Sequence, residues 1–228
     1  MLKKTLLYSL LAIYSLCCTS CFDILEEINI KNDGTGSMLV TFNMSKSKTK
    51  LASIMMLDSI NGHKVPSEDE INLFLKDVTD YLEKTEGIGN IKKTKDFDNY
   101  IFTVSCDFKD VEQINGIFKD MIIEQNKKGG THFSTKNFAF NSSEKTFHRY
   151  FTYDDSIKKS FNHLKSEDQK VFQDASLTAI YRFENPVTSI SNTKAKVSPN
   201  KKAVMLKVGA MDFIMGKQSL ANKIQLSK

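Results

Sequence analysis

Alternation of apolar and polar residues, punctuated by short turn signals, is the feature that most constrains this chain. Ile24, Ile28 and Ile30 stand among acidic residues, Asn32-Asp33-Gly34-Thr35-Gly36 supplies a turn, and Met38, Val40 and Phe42 alternate against Leu39 and Thr41. A period of two on both sides of such a turn predicts a β-hairpin. The pattern returns in Ile88–Lys95 and Tyr100–Phe108 about Asp96-Phe97-Asp98-Asn99, and in Thr131–Phe140 and Lys145–Tyr153 about Asn141-Ser142-Ser143. It returns again in Ala195–Val197 and Ala203–Val208 about Ser198-Pro199-Asn200-Lys201. Ser176–Glu184 reads as a strand closed by Asn185-Pro186, with Val187–Ser191 extended beyond it.

Between these strands the period changes to that of a helix. Ser67 and Glu70 form a capping box after Pro66, and Ile71, Phe74, Leu75, Val78, Tyr81 and Leu82 share one apolar face up to Gly87. Ser45–Leu57 reads as a shorter helix. Another is expected from Asp110, with Val111, Ile114, Phe118, Met121 and Ile122 inward and Gly129-Gly130 as its stop. A further one follows Asp154-Asp155, with Ile157, Phe161, Leu164, Val171 and Phe172 inward. The tail, 211–228, has room for a short helix and a last strand. No low-complexity linker divides the chain, so one α+β domain over 21–228 is expected: an antiparallel sheet built from hairpins, with several helices packed on one face.

The first twenty residues do not belong to that domain. Lys3 and Lys4 precede an apolar run, Leu6–Leu16, broken by Tyr8, Ser9, Tyr14 and Ser15. These are the parts of a secretory signal. The run is too short to span about 30 Å of hydrocarbon, which takes about 20 residues. Cys18-Thr19-Ser20-Cys21 resembles the lipobox of bacterial lipoproteins, with small residues before the acceptor and Cys18 where Leu or Val is usual. The resemblance implies a signal peptide over 1–20 and acylation, palmitate included, of Cys21. Cys17 and Cys18 are poorer acceptors because bulky Leu16 precedes them. The alternative is an ordinary cleaved signal with incidental cysteines. Two or more acyl chains hold a protein on a membrane where one does so only marginally. Phe22 rather than Asp follows Cys21, so an outer-membrane anchor facing the periplasm is expected. Asp23, Glu26 and Glu27 faintly match an acidic export signal, which makes the cell surface the alternative.

The formal charge of +5 includes the two leader lysines, and the rest are dispersed, with no arginine-rich or aromatic-basic patch. Nucleic acid is therefore not an expected partner. Of four cysteines only Cys106 remains beside Cys21, which leaves no intrachain pair; it alternates with Val104 and Phe108 and reads as a buried small hydrophobe. His63, His132, His148 and His163 lack metal-ligand spacing, so no metal site is expected. No G-x-S-x-G, H-E-x-x-H or phosphate-loop motif occurs, so neither an enzyme nor a cofactor is expected. Asp96 and Asp98 could ligate Ca²⁺ only if further oxygens converged, and they read as a solvated turn. Asp58-Ser59-Ile60 and Asp155-Ser156-Ile157 resemble the acceptor site of a bacterial O-glycosylation system, making Ser59 and Ser156 candidates, although Ser156 also fits a helix N-terminus. The segment from Lys46 to Leu57, with its lysines and paired methionines, fits either a membrane surface or a core-facing helix.

The order of elements, with Asn99-Tyr100-Ile101-Phe102-Thr103-Val104-Ser105-Cys106-Asp107-Phe108 and Phe183-Glu184-Asn185-Pro186-Val187-Thr188-Ser189-Ile190-Ser191-Asn192, then a hairpin through Ala203–Val208, resembles the LppM-like lipoprotein domain. Thr193 stands where that family has Gly, and its C-terminal membrane helix is absent. The resemblance implies a non-catalytic envelope lipoprotein that contacts a lipid, a glycolipid or an envelope partner, and it supplies no catalytic residue. An accessory subunit of an envelope complex is the second expectation, and a hydrolase with a site assembled from scattered residues the third.

Overall fold

The computed structural model describes residues 22–60, 62–115 and 136–228. The helix expected beyond Ile114, the start of the strand expected from Thr131, His132, and the whole leader with Cys21 lie outside these residues.

Hairpins account for most of the architecture. β1 (Asp23–Ile30) and β2 (Gly36–Asn43) pair antiparallel, as do β5 (Ile88–Asp96) and β6 (Ile101–Phe108), and β7 (Phe138–Asn141) and β8 (Thr146–Arg149). β11 (Lys196–Val197) and β12 (Ala203–Gly209) close another, and β3 (Ser59–Ile60) and β4 (His63–Lys64) form a small separate one. With β9 (Ser176–Phe183), β10 (Val187–Ile190) and β13 (Asn222–Leu226) these assemble into a seven-stranded sheet, β11-β12-β9-β1-β2-β6-β5, and a four-stranded sheet, β10-β13-β8-β7. Among the described residues the α-helices are α1 (Lys48–Ile54), α2 (Glu68–Lys84), α3 (Asp155–Asn162), α4 (Ser166–Gln169) and α5 (Ala210–Ile214).

The α+β class expected from sequence holds. Two features go beyond it. β1 lies at the centre of the large sheet and pairs parallel with β9, Ile28 opposite Tyr181, across more than 150 residues of chain. And the sheet's inner face is covered jointly, by α2 over β5 and by the four-stranded sheet over β1, β9 and β12. Ile28, Tyr181, Val204, Phe147 and Ile224 meet between the sheets with no exposed surface. Side chains thus occupy the interior between the sheets.

The cap of α2 forms as expected: Ser67 Oγ accepts from Glu70 N–H and Glu70 accepts from Ser67 N–H. Its inward stripe is Leu75, Thr79 and Leu82, with Ile71 and Val78 partly buried. Phe74, expected on that face, is 44 % exposed. At 3.6 residues per turn it lies roughly 60° round the axis from Ile71, at the edge of the stripe. The helix expected after Asp154 is broken into α3, α4 and a single 3₁₀ turn, Lys170–Phe172.

Candidate functional site

The strands of the large sheet start and stop together, so the sheet has two ends. At one, β1 begins at Asp23, two residues after Cys21. Phe22 stacks on Phe42 at 5.3 Å and meets Phe172 edge-on at 5.8 Å. Asp23 accepts from Lys46 Nζ at 2.7 Å and from Ser176 Oγ at 2.5 Å. Partial burial raises its pKa, and these two hydrogen bonds outweigh that, so the carboxyl titrates below the ordinary aspartate value. Lys48 Nζ reaches Asn99 Oδ1 in the β5–β6 turn at 3.2 Å. Leu51 and Met55 pack with Ile71, Leu75, Tyr100 and Phe102 in a second apolar cluster. This end is tied together by contacts that begin at the first described residue.

At the opposite end lies an open cleft of about 820 Å³. Asn29, Lys31, Ser37, Asn90, Asp107 and Arg182 line it, with Phe108 and Phe183 at its base. Its walls are fixed by pairs: Asn90 Nδ2 donates to Asp107 at 2.7 Å, Asn29 Nδ2 to Ser37 Oγ at 3.1 Å, and Arg182 straddles Glu27 at 3.1 and 3.3 Å. Asn90 sits at φ +50°, a left-handed conformation that Asn tolerates, within the bulge that separates Gly89 from Lys92. Donors and acceptors of both charges on an open surface can bind a polyhydroxylated or zwitterionic group. Among the described residues no cluster of three or more His, Cys, Asp or Glu could hold a metal ion.

Sequence reasoning missed a buried polar group between the sheets. Glu26, read from sequence only as one of several acidic residues in β1, is 6 % exposed. Tyr181 Oη donates to Glu26 Oε1 at 2.8 Å, and Arg149 Nη2 lies 3.4 Å from Glu26 Oε2. The Arg149 guanidinium sits over the Phe138 ring at 4.5 Å and donates to the Tyr150 carbonyl at 3.0 Å, while its Nε finds no partner among the described residues. Burial, reinforced by the Glu26 charge, pushes the Tyr181 hydroxyl far above its ordinary pKa. The signal was present: Glu26 shares the period-two face of Ile24, Ile28 and Ile30.

The other candidates are scattered. Ser59 is exposed in the β3–β4 hairpin, and Ser156 is exposed in the first turn of α3, its N–H accepted by Asp154 at 2.7 Å. Asp96 accepts the backbone and side-chain N–H groups of Asn99 at 2.9 and 2.8 Å, which lower its pKa and close the β5–β6 turn. His63 lies 3.4 Å from Asp168, and His163 Nδ1 2.6 Å from the Lys159 carbonyl oxygen. Cys106 is a free thiol, 5 % exposed, which burial and then Asp107 push up to about 11.

Comparison with known proteins adds little. No protein-family profile and no curated protein matches the chain. Among solved structures it is similar to the folded domain of LppM from Mycobacterium tuberculosis, determined by NMR. That likeness has 12 % identity and a TM-score of 0.41, over 90 % of this chain and 88 % of that one.

The outer face of the large sheet is different again. Leu25, Leu39, Ile101 and Ile180 are half-buried there and Met205 is 38 % exposed, and none of them joins either apolar cluster.

Proposed function

We propose that this chain is a non-catalytic lipoprotein of the cell envelope, acylated on Cys21 and held on the periplasmic side of the outer membrane. Its distal cleft binds a glycan, a glycolipid headgroup or a polar segment of an envelope partner. One observation carries the reading: the central strand begins two residues beyond Cys21 and runs to the cleft at its other end. At about 3.3 Å per residue the eight residues of β1 place the cleft on the order of 25 Å from the anchor. A tether on Cys21 would turn the cleft away from the bilayer.

Metabolic labelling with an alkyne fatty acid in a Gram-negative host tests the anchor. Label on the wild-type chain, absent in Cys21→Ser, is expected; equal labelling of both would refute it. The cleft is tested by titrating labelled protein with envelope oligosaccharides and following amide shifts. Shifts confined to residues near Asn90 and Asp107, lost in Asp107→Asn, support the reading, and shifts elsewhere refute it.

The outer sheet face favours a second reading, an accessory subunit of an envelope complex, because a half-buried apolar strip flanked by charge suits a protein partner. A photo-crosslinker at Leu39 that joins one defined protein, and none when placed at Asp58, would support it.

A further inference from the structure

The end of the molecule where β1 begins also carries the most exposed large apolar side chain among the described residues. Met56 is 87 % exposed and Leu57 is 50 % exposed. They stand just past α1 in a turn closed by Leu57 N–H on the Ile54 carbonyl at 2.9 Å. The turn is braced from beneath, since Leu51 and Met55 pack on Leu75, Tyr100 and Phe102. Bracing the inner side holds the outer pair in solvent. Leu73, 59 % exposed, and Phe74 are further exposed apolar side chains on the first half of α2, whose Ile71 and Leu75 belong to the same cluster.

Charge and covalent geometry say what covers this tip. Residues 44–57 contain Lys46, Lys48 and Lys50, all exposed, and no carboxylate. Lys46 is bound to Asp23. Two peptide units span at most about 7 Å, so an acylated Cys21 holds Asp23 and its neighbours at the headgroups of the membrane that carries the acyl chains. Exposed Met and Leu beside lysines, on a surface that cannot leave the interface, match the composition of interfacial anchors.

We propose that the Met56–Leu57 tip inserts into the bilayer that carries the lipid anchor, with Lys48 and Lys50 against anionic headgroups. The tip then acts as a second, non-covalent contact that sets the domain upright and directs the distal cleft away from the membrane. This inference rests on acylation of Cys21.

The test uses the full acylated protein reconstituted into phosphatidylethanolamine–phosphatidylglycerol vesicles containing nitroxide-labelled lipid. An environment-sensitive dye is attached at Met56→Cys, with Leu57→Cys as a second position and Asn90→Cys as the distal control. Buried Cys106 stays unlabelled. A blue shift and loss of most of the fluorescence at 56 and 57, with none at 90, is the expected result. Protein bound to vesicles while the dye at 56 and 57 stays in water would overturn the inference and leave the anchor intact. Protein recovered in the aqueous fraction would overturn the anchor and the inference together.

Discussion

Replacing Arg149 with Met isolates the charge of Glu26 inside the protein. The side chains of Glu26 and Arg149 are 8 % and 10 % exposed, so solvent screens little of their interaction. Removing one partner of such a buried pair costs about 3–5 kcal/mol, because the remaining charge stays desolvated. Two features of this site place the expected loss at the lower end, about 3 kcal/mol. Tyr181 continues to donate to Glu26, and the orphaned Arg149 Nε makes the native pair imperfect to begin with. Methionine gives up the guanidinium's place over the Phe138 ring but adds no new charge. The triple change Glu26→Met, Arg149→Met and Tyr181→Phe removes every polar member, and its stability should return to within about 1–2 kcal/mol of the native protein or exceed it. Tyr181→Phe alone should cost about 1.5–3 kcal/mol, the worth of a hydrogen bond to a charged acceptor. Urea unfolding followed by far-UV circular dichroism measures all three, since the chain has no tryptophan. An Arg149→Met loss under about 1 kcal/mol, or a triple variant as unstable as the single one, would refute the idea that charge isolation governs this site.

Four further outcomes follow from individual residues. Asp23 has a depressed folded pKa, so its contribution is present above the unfolded value of about 3.9 and is lost as pH falls through the folded one; Asp23→Asn should flatten the acid limb of a stability–pH curve, and an unchanged limb would contradict the pairing. Gly87 has φ +79°, and a Cβ there would meet the Gln113 side chain, so Gly87→Ala should cost about 1–3 kcal/mol in the same urea assay. Cys106 should resist Ellman's reagent in native buffer and react fully in urea; rapid native labelling would mean the strand opens locally. Intact mass of protein from its native host decides between two fates of the Met56–Ser59 turn: tip insertion expects no sugar on Ser59, and a sugar increment that Ser59→Ala removes would hold the tip out of lipid and refute insertion.

Local information made most of the elements legible. The hairpins about Asn32–Gly36 and Asp96–Asn99 form where turn residues and alternation place them, and the Ser67–Glu70 box caps α2, because each involves residues only a few positions apart. The anchor reading likewise depends on a contiguous segment. Phe74 was harder, since whether a residue at the edge of a helical stripe is buried depends on the width of the sheet beneath it.

By itself the sequence determined the α+β class, the hairpins and the caps, all set by short-range periodicity and turn chemistry. Tertiary structure alone decided that β1 pairs parallel with β9, that a second sheet shares the inner face with α2, and that Glu26 meets Arg149 and Tyr181. It also decided that Asn29, Asn90 and Arg182 share one cleft and that Met56 stands exposed while Met55 beside it packs in the second apolar cluster. Each of these joins residues far apart in the chain. Such pairings are selected by the burial of the whole core, and no local window of sequence contains that free energy.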